Sequence, residues 1–170
     1  ASLELLSGAH AAAGSLEVLC DGENISMPYG CRLDVFGSTL SVAHTASLRG
    51  NGSGGTIWHI ADDGRAEVGE AVALDAAAEL HLGNGILETP DLILDDGLLH
   101  GTGTIKGNVR NGGTISPGAI FGELSIDGDL EMDAGGVLSI DLGGLEAGAE
   151  HDVLSILGTS MLGGTLRVVL

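Results

Sequence analysis

Short runs in which apolar and polar residues alternate recur along the whole chain, each cut off by glycine, asparagine, aspartate or proline. Residues 15–19 (SLEVL) place Leu16 and Val18 on one face, and residues 31–36 (CRLDVF) send Leu33 and Val35 one way and Arg32 and Asp34 the other. The alternation returns at 39–43, 46–48, 56–60 (TIWHI), 65–68, 71–74, 79–82 (ELHL), 86–88, 92–94 and 98–100. It continues at 123–126 (ELSI), 129–132 (DLEM), 137–142 (VLSIDL), 153–157 (VLSIL) and 165–170 (TLRVVL). A period of two over so few residues predicts strands with one buried face. Residues 2–14 read as a first strand and corner, with a short capping helix as the alternative. Polar segments at 21–30 and 50–55 (GNGSGG) are turns.

Residues 101–118 (GTGTIKGNVRNGGTISPG) carry three β-branched runs, at 102–105, 108–109 and 114–115. Each glycine would cost a helix about 1 kcal/mol relative to alanine, and a two-stranded hairpin wants longer arms. A chain that runs straight, turns a corner and runs straight again fits: an all-β coil of short parallel strands, a β-solenoid. Gly103, Gly107, Gly112, Gly113 and Gly118 then place corners, and Ile105, Val109 and Ile115 fill the core. The spacing of turns also suits a sandwich or barrel, but the arms are too short and numerous for Greek-key crossings. A turn of about 20 residues gives about eight rungs, stacked about 4.8 Å apart in a rod of about 40 Å. The whole of 1–170 reads as one domain, with 1–14 as N-terminal cap or first rung.

Composition agrees. Hydrophobic residues make up 44% of the chain but aromatics only 2%, and there are 30 glycines. A sandwich core leans on large rings to fill irregular space; a narrow core of stacked aliphatic rungs does not. The formal net charge of −18 repels phosphate backbones, which argues against nucleic acid and anionic membranes as partners. The longest apolar stretch, 71–82, is too short and too charged to span a bilayer. No basic n-region opens the chain, so Ala1 reads as a mature N-terminus or an artificial boundary. Cys20 and Cys31 are expected to form a disulfide in an exported protein, worth about 2–3 kcal/mol, with two reduced thiols as the alternative. No second Cys or His pair has zinc-ligand spacing.

Residues 101–170 resemble the passenger-domain repeats of bacterial autotransporters and related secreted surface proteins. The resemblance is carried by GTIKGNVRNGGTISPG, then GELSIDGDLEMDAGGVLSIDLGG, then HDVLSILGTSMLGGTLRVVL. These follow the family's order of a Gly-Asn corner, an "isPG" turn and successive G-x-L-x-I strands, ending in L-x-G-T-L-x-V. The resemblance implies a single-stranded right-handed parallel β-helix on or outside the cell, with the last rungs as a stabilising cap. It supplies no catalytic residue.

Candidate chemistry is thin. His10, His44, His59, His81, His100 and His151 have no metal-motif spacing and read as exposed or corner residues. Asp62–Asp63 and Asp95–Asp96 are acidic pairs; Asp127, Asp129, Asp133 and Asp141 are isolated acids. Asp127, Asp129 and Asp133 could line one edge and take Ca²⁺, though solvated corners explain them as well. Lys106, Arg32, Arg49, Arg65, Arg110 and Arg167 are too few and scattered for a lyase site. Ser116 and Ser139 lack a nucleophile elbow, and residues 50–55 lack the Lys-Ser/Thr of a phosphate loop. Trp58 reads as a core or capping residue before a carbohydrate platform. No catalytic, cofactor or metal residue is assigned. The expectation is an exported structural solenoid, a stalk, surface coat or filament subunit associating through its ends. The alternatives are an adhesin binding glycan or matrix and, behind it, a polysaccharide-active enzyme.

Overall fold

The computed structural model describes residues 2–5, 8–14, 16–20, 31–50 and 55–170, and for 2–5 and 17–20 the backbone alone. Among them there is no helix. The first turn holds β1 (Ser2–Leu5), β2 (His10–Ala13) and β3 (Leu16–Cys20), so the described part of 2–14 makes strands rather than a capping helix. The second holds β4 (Cys31–Phe36), β5 (Thr39–Val42) and β6 (Thr45–Gly50), the third β7 (Thr56–Ala61), β8 (Arg65–Val68) and β9 (Ala71–Leu74). β10 (Ala78–Leu94) and β11 (Leu98–Asn111) each run through a whole turn. The sixth turn is β12 (Thr114–Pro117), β13 (Glu123–Ile126) and β14 (Leu130–Met132). The seventh is β15 (Val137–Asp141), β16 (Val153–Ile156) and β17 (Ser160–Met161), and β18 (Thr165–Val169) opens an eighth.

Every named strand pairs in parallel with a strand in an adjacent turn, which makes this an all-β, parallel architecture of the β-solenoid class. β1, β4 and β7, residues 78–83 and 98–102, then β12, β15 and β18 form the first face. β2, β5, β8, β13 and β16 lie on the second, with the middles of β10 and β11. β3, β6, β9, β14 and β17 lie on the third, with the ends of β10 and β11.

On the first face the register runs Ser2, Arg32, Ile57, Glu79, Leu98, Thr114, Val137, Thr165. Successive turns therefore take 30, 25, 22, 19, 16, 23 and 28 residues. This is why no strict repeat is visible: the faces keep register while the corners absorb the difference.

Alternation fixes what lies inside. Leu33, Trp58, Leu80, Leu99 and Ile115 stack in one inward column, and Leu40, Ala66, Leu87, Ile105 and Ile126 in another. All are almost wholly removed from solvent. On the third face the column Leu48, Leu74, Leu94, Asn111, Met132 contains one polar member. Asn111 is fully buried and its amide donates to the Val137 carbonyl (3.2 Å). Trp58 is core: it is fully buried between Leu33 and Leu80.

The corners differ from expectation in one respect. The glycines of 83–85 and 101–107 suggest breaks, yet β10 and β11 run on through them, and their mutual pairing resumes after register shifts at Gly83/Gly85 and Glu88/Asp91. Asn84 manages the first with a left-handed backbone (φ 66). At Gly107 (φ 150) an added Cβ would collide with the Thr89 carbonyl oxygen of the turn before.

Leu80→Ala should cost about 2–5 kcal/mol, because a fully buried rung of the central column would leave a cavity. Gly107→Ala should be destabilising by a comparable amount, whereas Gly14→Ala, which meets nothing within 4 Å, should be near neutral. Urea denaturation of the three variants checks the ordering; equal midpoints for Gly107→Ala and Gly14→Ala would contradict the close approach of neighbouring turns.

Candidate functional site

The outward side of the first face brings together residues that are far apart in the chain. Asp34, His59, His81, His100 and Ser116 occupy one lateral column. Each histidine follows an inward residue, Trp58, Leu80 or Leu99, so the pleat turns each imidazole outward. The His59 and His81 rings stack with centroids 4.4 Å apart and planes 2° from parallel; His81 and His100 stack at 4.4 Å and 10°. Phe36 meets His59 edge-on at 4.9 Å. Aromatic contacts of this kind are worth about 0.5–1.5 kcal/mol each.

The two ends of the stack are held by charge. Arg32 donates from Nε to Asp34 Oδ1 (2.6 Å) and from Nη2 to His59 Nδ1 (2.9 Å). Arg32 can only donate, so His59 Nδ1 accepts at that contact; the same nitrogen lies 3.5 Å from Asp34 Oδ1. At the other end His100 Nε2–H donates to Glu79 Oε1 (2.5 Å). His81 sits between with a ring above and a ring below. Burial, then the neighbouring His100 and His59, push its pKa down from 6.5 to about 4. Burial and the Arg32 charge also lower His59, against the pull of Asp34 and Asp62.

This stack does not chelate as arranged. A zinc–nitrogen bond is about 2.1 Å, so two nitrogens on one ion are at most about 4.2 Å apart. The nitrogen lone pairs lie in the ring planes, so nearly parallel rings do not direct them at a common ion. Among the described residues no three His, Cys, Asp or Glu side chains converge on a metal position.

A second feature is a shallow groove on the third face, lined by Asp91, Ile93, Asn108, Arg110, Asp129 and Glu131. Its polar groups are engaged with neighbouring turns. Asn108 accepts from the Asp129 N–H (3.1 Å), Asp129 accepts from the Thr159 N–H (2.7 Å), and Arg110 pairs with Asp133 (3.1 Å). The Thr159 bonds hold the Asp129 carboxyl below its usual range. Asp127 and Asp129 precede β14 and Asp133 follows it.

The third feature is Asp152, 5% exposed, at the end of the corner 142–152 and bonded across to the corner 118–122. Its Oδ1 accepts the Gly122 N–H (3.0 Å) and its Oδ2 the Asp141 N–H (2.9 Å). Burial raises its pKa, against the lowering effect of those two bonds.

The remaining expected residues stay apart. His10 is exposed on β2, His44 pairs with Glu70 (3.0 Å), and His151 contacts the Gly144 carbonyl. Asp62 and Asp63 form a turn with φ 53 and 61, and Asp95–Asp96 is the corner after β10. Residues 51–54 and 21–30 lie outside the described residues. So does the side chain of Cys20; Cys31, its expected partner, opens β4 and is disulfide-bonded. The ladder is the grouping the sequence reading missed. Its signal was present, a histidine set between two core positions at intervals of 22 and 19 residues, close to the lengths of the third and fourth turns.

Asp152→Ala would strand two backbone N–H groups at once. The expected loss is about 2–4 kcal/mol, at about 1–3 per unsatisfied donor less the solvent that reaches the corner, read as a lower urea midpoint. Asp152→Asn, which keeps one acceptor oxygen, should lose less. Identical loss in the two variants would place the effect elsewhere than in the acceptor bonds.

No family model, curated protein or solved structure matches the chain.

Proposed function

We propose that this chain is an extracellular structural β-solenoid: a stalk, surface-coat element or filament subunit built as a single-stranded right-handed parallel β-helix. The supporting observation is where the outward side chains spend their chemistry. Arg49 reaches Asp75 (2.5 Å), Arg65 bridges Glu67 and Glu88, Arg110 reaches Asp133, His100 reaches Glu79, and Asn84 reaches Asp63 (2.9 Å). Apart from Arg65–Glu67, each contact joins one turn to the next. Individually such exposed pairs are worth about 0–1 kcal/mol, but repeated along a rod they brace it. Right-handedness follows from strand twist, which makes nearly all parallel crossovers right-handed, and from the resemblance to autotransporter passenger repeats. The disulfide-bonded state of Cys31 suits an oxidising, exported setting. Pairing with Cys20 belongs to the same proposal.

End-to-end association extends this reading. The inward columns continue into β18, where Leu166 is 64% and Val168 48% exposed, and among the described residues β18 pairs with β15 alone. That surface has the shape of the turns below it and takes another turn of the same kind. Sedimentation velocity and electron microscopy test it. The expected result is concentration-dependent, end-to-end oligomers that Leu166→Glu abolishes; equal association of wild type and variant, or monomers at every concentration, overturns it. A second reading, an adhesin binding glycan or matrix, is favoured by the corner loops, where Ile120 is 69% and Leu145 96% exposed. Monomers retained on a glycan array, and released by Ile120→Ser with Leu145→Ser, would support that reading instead.

Thiol titration tests the compartment. Protein purified without reductant and then denatured should give no free thiol until reduced; two thiols per chain from such protein would argue against export.

A further inference from the structure

The histidine stack crosses three successive turns at a place where one of the bonds holding it, from Arg32 to His59, depends on a neutral ring. We propose that His59, His81 and His100 form an acid-sensitive seam, which ties turns three to five together at neutral pH and loosens them first when the surroundings acidify. The proposal goes beyond the structural role above and does not rest on it.

Geometry carries the argument. His59 Nδ1 accepts from the Arg32 guanidinium (2.9 Å). A proton on that nitrogen would face an N–H donor and break the bond. His81 lies 4.4 Å from a ring on either side, so its protonation places a charge against whichever neighbour is also protonated. The groups facing the stack come from four strands. β4 supplies Arg32 and Asp34, β7 supplies His59 with Asp62 just after it, β10 supplies Glu79 and His81, and β11 supplies His100. Beyond His100 the column continues with the neutral Ser116 of β12. Asp34 (side chain 10% exposed) is already bound by Arg32, and Glu79 by His100. Glu79 does favour a charged His81, but burial and the two neighbouring rings outweigh it.

The direction of the effect follows. In the unfolded chain these imidazoles titrate near 6.5; in the fold His81 titrates at about 4 and His59 is also lowered. Stability is therefore complete above pH 6.5 and is lost as pH falls from 6.5 towards 4. Allowing for solvent at the outward face, the unfolding equilibrium constant should rise on the order of 10- to 100-fold across that window through these rings alone.

The test compares wild type with His81→Phe, which keeps an aromatic ring but cannot take a proton, and with His44→Gln, an exposed histidine outside the seam. Urea midpoints are measured from pH 7 to 4, with hydrogen exchange corrected for intrinsic rate. Wild type and His44→Gln should lose midpoint together across the window, and His81→Phe should lose much less. Protection should fall in residues 56–61, 78–83 and 98–102 before it falls in 123–126. Parallel loss in all three proteins, or protection lost evenly along the rod, overturns the proposal. If His81→Phe does not fold, an NMR titration of the wild-type imidazoles decides. One ring staying neutral to about pH 4 supports the seam, and all three titrating between 6 and 7 overturn it.

Discussion

Parallel pairing in register is the constraint on which everything else here depends. Each turn sets its residues over the equivalent residues of the turn before, about 4.8 Å away. That places leucine over tryptophan over leucine inside, and histidine over histidine outside. The core is accordingly a set of columns rather than a volume, and aliphatic side chains suffice to fill it. Because a residue's nearest neighbours in space are one turn away in sequence, length can vary freely only where the chain leaves the faces. The turns use that freedom, shrinking from 30 residues to 16 and widening again to 28.

The same constraint disciplines charge. Register stacking puts like on like, which rewards apolar and neutral aromatic side chains and penalises acids. With 24 acids in the chain, most must live off the faces, and the corners hold Asp62, Asp63, Asp75, Asp95, Asp96, Asp127 and Asp133. Where Glu67 and Glu88 do fall in adjacent turns of one column, Arg65 from the neighbouring column binds both, and Lys106 follows Glu88 in the next turn. Asp34 is tolerated beneath the imidazoles because Arg32 neutralises it. Arg32 and Arg65 thus sit where stacking would otherwise leave an acid buried or set acid against acid.

Much of the face structure was legible because it is local. Alternation in residues 31–36 and 123–126 coincides with β4 and β13, and Ile105, Val109 and Ile115 are core as expected. What was illegible depends on facts no short window holds. Residues 83–85 look like a break, but pairing with the turn before carries the strand through Asn84, while pairing with the turn after shifts register there. β17 has two residues, too few for any period to show. The imidazole ladder needed the length of two particular turns, and turn length is the one quantity this fold leaves unconstrained. Asp152 is the same case: its partners Gly122 and Asp141 lie 30 and 11 residues away across the corner loops.

Trp58 gives the molecule an internal optical probe. It is the only tryptophan in the chain, is wholly shielded from water, and its indole N–H has no acceptor among the described residues. An indole in such an apolar, unbonded setting emits at shorter wavelength than one in water. It lies between Leu33 and Leu80, on the opposite side of the same strand from the outward imidazoles. The emission of the whole protein therefore reports a single locus, the contact between the second, third and fourth turns. A red shift there signals that these turns have parted, whatever the rest of the rod is doing.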